Sequence, residues 1–286
     1  AIALAVWSCA SGAAGPLAQT ALVDARPDDR ARTLTRWTLW SVAGDIAAPL
    51  ALAAFAALGL SWRASFATVA ALLAIWTVAL AMRPLPAAHV EGPAEDRVST
   101  WQALRAALRD RVLIAWLFGV ALCDLLDEIL VVFASLHVRI ELGASPAWQA
   151  AILASFMLGS AGGLVAIDRL LACRSDRGLL VACGIACAAC YALWLAAPAL
   201  WLSAVLALPV GATAAPLYPL AAARAYARCP GRSTIVLVGQ HLFTPLGLAL
   251  PPLLGLVADH AGTHVALALL IVQPIALAVL AAATRR

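Results

Sequence analysis

The chain has 286 residues, of which 64% are hydrophobic and only 12% are charged. An ordinary soluble domain is about 45–50% apolar and about 25% charged, so a soluble fold of this length is excluded. The formal charge of +4 comes from arginine alone, and these arginines lie between apolar segments, which argues against nucleic-acid binding. The composition therefore predicts a protein that has the lipid bilayer as its surroundings.

Apolar segments recur along the whole chain. A bilayer core about 30 Å thick requires roughly 20 mainly apolar residues per helix. We therefore expect an all-α, polytopic membrane helical bundle. Its nine predicted spans are 1–23, 37–59, 63–82, 112–134, 147–167, 178–197, 199–223, 233–257 and 264–283.

The connections between these spans alternate in charge. The four connections with few basic residues contain only Arg63 and Arg139, whereas the other five segments contain the remaining 17 arginines. Because basic residues accumulate in cytoplasmic loops, this pattern predicts a multi-pass protein of the cell membrane, the inner membrane in a bacterium, with a cytoplasmic C-terminus. The five arginine-rich segments are 24–36, 83–111, 168–177, 224–232 and 284–286.

The longest connection divides the chain. We predict that 1–83 is the remainder of an N-terminal bundle, 84–111 a cytoplasmic linker and 112–286 a C-terminal bundle of six helices. Ser99-Thr100-Trp101-Gln102 has the pattern of a helix N-terminus, which an amphipathic helix on the inner membrane surface would show. The frayed start of the next span explains it equally well.

Four carboxylates fall at membrane depth, where an ionisable group costs about 2.5–3.5 kcal/mol. Asp45 lies in the second span, and Asp124, Asp127 and Glu128 lie in the fourth. The latter three are spaced i, i+3 and i+4 and so share a helix face, where they cannot all ionise cheaply. We interpret all four as proton-coupling candidates. The alternative is that they pair with a partner such as His241, or reach out toward the interface.

Other polar residues interrupt the later spans. Tyr218, Gln240 and His241 are candidates for lining a substrate cavity, although polar residues also join neighbouring membrane helices. Asp168, Arg169 and Arg177 lie at the predicted inner edge, and an Asp–Arg arrangement there would clamp the bundles as a cytoplasmic gate. Simple retention of arginine on the cytoplasmic side explains them equally well.

The seven cysteines do not indicate a disulfide framework, because they are odd in number and fall mostly in apolar segments. Cys183, Cys187 and Cys190 share one helix face, which admits a soft-metal site, but small apolar packing is the favoured interpretation. We expect no metal, no cofactor and no catalytic residues. A glycine-rich phosphate loop is also missing from the sequence.

Two segments of the chain resemble each other. Residues 12–32 and 211–232 each contain a glycine, a proline four or five residues later and an inner loop with arginine. Aligning Pro16 with Pro216 places Arg32 on Arg232. Both copies have the same membrane orientation, which indicates a parallel repeat of about 200 residues and six spans. We therefore expect three further helices before residue 1, and twelve spans in all.

With these features the chain resembles the major facilitator superfamily of secondary transporters, as spans four to twelve. The resemblance implies a two-bundle fold that works by alternating access, and about nine of the twelve helices are present. Gly163 followed by Asp168-Arg169 is similar to the family's cytoplasmic loop signature. Further motifs that carry the resemblance are Ala21-Leu22-Val23-Asp24, Pro27-Asp28-Asp29-Arg30, Gly44-Asp45, Ser61-Trp62-Arg63, Pro230-Gly231-Arg232 and Gly255-Leu256-Val257-Ala258-Asp259.

We accordingly expect a secondary active transporter rather than an enzyme. It would move a small molecule, with protons as the coupling ion, and we expect a monomer. Efflux of a lipophilic compound is favoured because the helices offer few fixed polar contacts. The alternative function is that of a membrane sensor or scaffold that resembles a transporter but moves no substrate.

Overall fold

The computed structural model describes residues 2–83 and 105–284, and all the regular elements in these residues are helices. Two short segments differ from α-helix: a π-helical turn at Leu125–Ile129 and a 3-10 turn at His241–Phe243. The α-helices are α1 (Ile2–Ala25), α2 (Arg30–Ala57), α3 (Trp62–Ala81), α4 (Arg111–Asp124), α5 (Leu130–Ile140), α6 (Pro146–Leu170), α7 (Asp176–Leu195), α8 (Leu200–Ala214), α9 (Leu217–Ala227), α10 (Ser233–Gln240), α11 (Thr244–Ala261), α12 (Thr263–Leu269) and α13 (Val272–Ala283).

Each of the nine predicted spans coincides with one helix or with a run of consecutive helices. Seven of these are long and apolar enough to cross a membrane, and the other two predicted spans coincide with α1 and with the run from α4 to α5. The prediction of an all-α, polytopic membrane bundle is therefore confirmed. The predicted amphipathic helix begins at Ser99 and lies mostly outside the described residues.

Proline explains why several spans are built from two helices. A proline lacks the backbone N–H and its ring crowds the preceding turn, so it interrupts or begins a helix. Pro216 lies between α8 and α9, and Pro245 lies in the first turn of α11, directly after the 3-10 turn. Pro274 lies near the start of α13. The helix axis is thus interrupted within three spans of the C-terminal region.

Helices α6 and α8 pack with their backbones in direct contact. A methyl group added to Gly159 would overlap the carbonyl group of Leu208, and one added to Gly163 would overlap that of Ala212. From the other side, a methyl group at Gly211 would overlap the carbonyl group of Phe156. We call Gly159, Gly163 and Gly211 the glycine seam, because glycine lets two helix backbones touch there.

The contacts divide the chain into two compact units. The first comprises residues 1–40 and 98–286, and contains α1, the start of α2 and all helices from α4 onward. The second comprises residues 41–97, and its described helices are the remainder of α2 and α3. The predicted division into 1–83, 84–111 and 112–286 stays a prediction.

Polar contacts connect the arginine-rich segments within the first unit. Arg32 pairs with Asp168, Arg228 pairs with Asp110, and the guanidinium group of Arg177 bonds to the backbone of Ala281. Segments that the arginine count assigns to one side therefore meet at one end of this unit. We refer to it as the arginine-rich end, and its cytoplasmic location stays a prediction.

Candidate binding cavity

A cavity of about 390 Å³ lies in the first unit, between α4 with the π turn that follows it and the helices α9 to α11. Three of the predicted site residues line it, Glu128, Tyr218 and Gln240, and Thr244 adds a fourth polar side chain. Apolar side chains such as those of Phe243 and Leu250 form the rest of the wall. A mainly apolar cavity with a few convergent polar groups is typical of a small-molecule site.

The π turn at Leu125–Ile129 positions Glu128. A π turn accommodates one residue more than an α-helical turn and often occurs at functional sites. It places Leu125, Glu128 and Ile129 in the wall of the cavity. Glu128 is exposed, and it is the one carboxylate among the described residues that line this cavity.

The other acids of the predicted cluster are arranged differently. Asp127 is also exposed and lies in the π turn, but it does not line the cavity around Glu128. The side chain of Asp124 lies outside the described part of the chain. Asp45 lies on an exposed part of α2 in the second unit.

Tyr218 joins the cavity to α1. The side-chain nitrogen of Gln19 donates a hydrogen bond to the tyrosine hydroxyl group at 3.0 Å, and the hydroxyl group donates to the side-chain oxygen of Gln19 at 3.2 Å. Gln19 is buried, so the tyrosine hydroxyl satisfies a polar group that would otherwise be costly to bury. This contact was not predicted from the sequence.

Gln240 and its neighbour His241 have different surroundings. The side-chain nitrogen of Gln240 is buried and makes no hydrogen bond to the described residues. Its N–H groups are therefore free to donate to another acceptor. His241 begins the 3-10 turn and is exposed, but it does not line the cavity. Of the three predicted cavity residues, the structure therefore brings Tyr218 and Gln240 together.

The predicted gate residues do not form a single group. Asp168 accepts hydrogen bonds from Arg32 at 3.0 Å and from Arg36 at 2.9 Å. Arg177 donates to the carbonyl groups of Ala281 and Ala282 at 2.7 and 2.8 Å, and so satisfies the last turn of α13. Arg169 is exposed near the end of α6.

Two further contacts at the arginine-rich end were not predicted. The hydroxyl group of Ser233 donates to the carboxylate of Asp24, and Arg224 lies 3.6 Å from Asp176. The sequence offered no signal for the first contact, because Asp24 and Ser233 are 209 residues apart.

Asp110 has two roles at the same end. Its carboxylate accepts hydrogen bonds from the backbone N–H groups of Val112 and Leu113, which caps α4, and it pairs with Arg228 at 2.9 Å. Partial burial alone would raise the pKa of Asp110, but the bonds from Arg228 and from the two backbone N–H groups outweigh it. They hold the pKa below its usual value.

The cysteines do not build a metal site in the described part of the chain, where no group of three or more histidine, cysteine or acidic residues is arranged to hold an ion. Cys187 is fully buried, and Cys183 and Cys190 are partly buried against the core. Their packing agrees with the interpretation of cysteine as a small apolar residue.

The helices define a multi-pass α-helical membrane protein, and the lined space is a cavity within its first unit. Residues 1–124 match the model of the Major Facilitator Superfamily. This match covers less than half of the chain, and it agrees with the family of transporters that the sequence motifs suggested. A comparison with curated protein sequences finds no match.

Proposed function

We propose that this protein is a secondary active transporter that moves a lipophilic small molecule out of the cell by alternating access, coupled to protons. The cavity around Glu128 carries the proposal. It is large enough for a small ligand, its wall is mainly apolar, and it contains one carboxylate, one phenol and one carboxamide. We place the protein in the cell membrane with its C-terminus in the cytoplasm, as the arginine distribution predicts.

Glu128 is the proposed proton carrier. Glu128 lies at the predicted depth of the membrane, where a charged carboxylate is costly. A proton removes that charge, and so does a bound molecule with a positive or hydrogen-bond-donating group. Proton and substrate therefore compete for the same side chain, and such competition couples their movements in opposite directions.

The hydrogen bond between Gln19 and Tyr218 is the proposed inner closure of the cavity. At 1.5 Å per residue, Tyr218 lies about 15 Å from Arg228 at the arginine-rich end, and Glu128 lies about 26 Å from Arg111. The Gln19–Tyr218 contact is thus nearer to that end than Glu128 is. The pairs of Asp168 with Arg32 and Arg36 add a second layer of closure at the end itself.

Transport in proteoliposomes tests the proposal. The protein is reconstituted, and labelled lipophilic compounds are offered with and without a pH gradient. We expect accumulation driven by the gradient, and counterflow without it. Glu128→Gln should abolish the response to the gradient and retain counterflow, because the neutral side chain still lines the cavity.

Asp259→Asn is the matched control, because Asp259 is an exposed carboxylate near the end of α11 outside the cavity. Equal responses of Glu128→Gln and the unmodified protein to the gradient would refute the role of Glu128. A lack of counterflow for every compound that binds would favour a sensor or scaffold instead.

A native cysteine tests the orientation. Cys173 is exposed in the connection between α6 and α7, which we assign to the cytoplasm. A membrane-impermeant maleimide should label it in inverted vesicles and not in intact cells, with a Cys173→Ser variant as the control for the labelled position. Labelling of Cys173 in intact cells would reverse the assignment.

A further inference from the structure

A second cavity lies in the first unit, away from Glu128. Its volume is about 340 Å³, and it lies between α5, α6 and α8 with Trp194 of α7 in its wall. Its lining is almost entirely apolar, with side chains such as those of Ile152, Phe156 and Val210. None of the residues that line the cavity around Glu128 takes part in it.

The mouth of this second cavity lies on the outer surface of the helices. Val132 on α5 is 65% exposed and Leu153 on α6 is 39% exposed, whereas Ile152 and Phe156 behind them are buried. The surface at the mouth is apolar and belongs to two predicted spans, of which α6 is long and apolar enough to cross a membrane. The molecules that meet such a surface in a bilayer are the acyl chains of lipids.

The polar groups of the cavity lie at one end. Ser135 donates a hydrogen bond to the side-chain oxygen of Gln149 at 3.0 Å, and the Gln149 nitrogen donates to the carbonyl of Ala144 at 3.2 Å. Ala144 lies in the connection between α5 and α6. Phe156 lies seven residues after Gln149 along α6. At 1.5 Å per residue it is about 10 Å deeper in the cavity than Gln149. The cavity is therefore polar near the membrane surface and apolar below it.

We propose that this cavity binds one acyl chain of a bilayer phospholipid, with the ester region of the lipid beside Ser135 and Gln149. A methylene group occupies about the volume of one water molecule, about 30 Å³, so 340 Å³ accommodates about eleven chain carbons. One polar end and an apolar depth match a lipid chain that enters sideways between α5 and α6.

Photolabelling of the full protein tests this. The protein is reconstituted in phosphatidylcholine vesicles that contain phosphatidylcholine with a diazirine in one acyl chain, either near the ester or near the middle. After irradiation, labelled positions are mapped by mass spectrometry. The diazirine near the ester should label the region of Ser135 and Gln149, and the one near the middle should label that of Phe156 and Val210.

Two variants fill the cavity. Ala207→Phe and Ala134→Phe each place a ring where the lining is now a methyl group, and each should remove most of the labelling at Phe156 and Val210. Val205→Phe is the matched control, because Val205 lies on the same helix as Ala207 and is 60% exposed. Ala134 is only partly buried, so this variant serves if Ala207→Phe does not fold.

Three outcomes would overturn the proposal. Equal labelling in Ala207→Phe and Val205→Phe would show ordinary surrounding lipid. Labelling that does not change with the position of the diazirine would also indicate ordinary surrounding lipid rather than a bound acyl chain. Crosslinks from the cavity to a second copy of the chain would show an interface between proteins instead of a lipid site.

Discussion

The glycine seam and the cavity around Glu128 are built on opposite principles, although both lie in the same unit. At the seam, α6 and α8 each continue as a single α-helix past Gly159, Gly163 and Gly211, although α8 contains Pro209, and their backbones leave no room for a methyl group. At the cavity, the helices are interrupted by a π turn, a 3-10 turn and Pro245. The space of about 390 Å³ is found where the helices are irregular.

This difference indicates which parts of the bundle can change shape. Packed backbones act as one rigid body, because close packing is not continuously deformable. Interrupted helices have backbone groups that can exchange partners with side chains or a ligand. We therefore expect movement during transport around the π turn and α10–α11, with the seam as a fixed support.

The largest expected effect is at the seam. Gly163→Ala places a methyl group on the carbonyl of Ala212, and overpacking of this kind costs about 1–3 kcal/mol or more. The adjacent Gly162 has open space around it, so Gly162→Ala should be neutral or slightly stabilising. Unfolding in mixed micelles with an increasing fraction of denaturing detergent measures the free energy of unfolding of each variant.

The contrast between neighbours makes the result decisive. If both alanine variants unfold at the same denaturant concentration, α6 and α8 are not in backbone contact. The glycine seam would then not be a rigid support. If transport survives in Gly162→Ala and is lost in Gly163→Ala at equal expression, the seam is also required for function.

The second prediction concerns Asp168, which lies near the end of the seam helix α6 and binds Arg32 and Arg36. Asp168→Asn removes the charge that both arginines share. Hydrogen bonds between charged groups contribute about 1.5–3 kcal/mol, and partial exposure reduces this to about 1 kcal/mol. Asp28→Asn, at an exposed carboxylate, is the control, and unfolding in mixed micelles measures the two variants.

Salt distinguishes the pairs from simple packing. The difference between Asp168→Asn and the unmodified protein should shrink at high ionic strength, because exposed charges are screened. A difference that does not depend on salt would mean that the arginines do not stabilise this end through their charge.

The sequence predicted the helical architecture well, because the need to match a bilayer leaves a strong apolar pattern at each span. It also marked Glu128, Tyr218 and Gln240 as candidate site residues, since polar residues stand out in apolar helices, and all three line one cavity. The predicted shared face of Asp124, Asp127 and Glu128 assumed a regular α-helix. The π turn interrupts that α-helix, and of Asp127 and Glu128, whose side chains are described, Glu128 lines the cavity.

Contacts between distant segments could not be derived from spacing. Gln19 is 199 residues from Tyr218, and Asp168 is more than 130 residues from Arg32 and Arg36. A single sequence contains no distance information for such pairs. Gly159 and Gly163, in contrast, have the small-residue spacing of close membrane helices, so the seam was readable from the sequence but was not predicted.

The third prediction tests the cavity side of the comparison. Tyr218→Phe removes the hydroxyl group that bonds to the buried Gln19, and one such hydrogen bond contributes about 0.5–1.5 kcal/mol. A double-mutant cycle with Gln19→Leu isolates the pair. We expect the two changes together to cost less than the sum of their single effects, in unfolding and in substrate binding alike.

An additive cycle would mean that the two side chains do not interact in the membrane. It would also remove the proposed inner closure, while leaving the role of Glu128 intact. Transport by Glu128→Gln and by Tyr218→Phe therefore reports on separate steps.

The smallest expected effect is at Asp110, which caps α4, a helix that leads to the π turn. Its pKa is below the usual value because the bonds from Arg228, Val112 and Leu113 outweigh the effect of partial burial. A carboxyl group whose pKa is lowered by folding stabilises the fold above its unfolded pKa, about 3.9. That contribution is lost as the pH falls through the folded value.

Asp110→Ala should therefore reduce stability at pH 7 by about 0.5–1 kcal/mol, toward the lower end of the range for helix N-caps. The difference from the unmodified protein should decline below about pH 4 and vanish once the carboxyl group is protonated in both states. Arg228→Gln should show a smaller difference of the same sign, because the bonds to Val112 and Leu113 remain. A loss of stability in Asp110→Ala that stays constant down to pH 3 would show that the cap does not depend on the charge of Asp110. The start of α4 would then be stabilised without charge, as the glycine seam is.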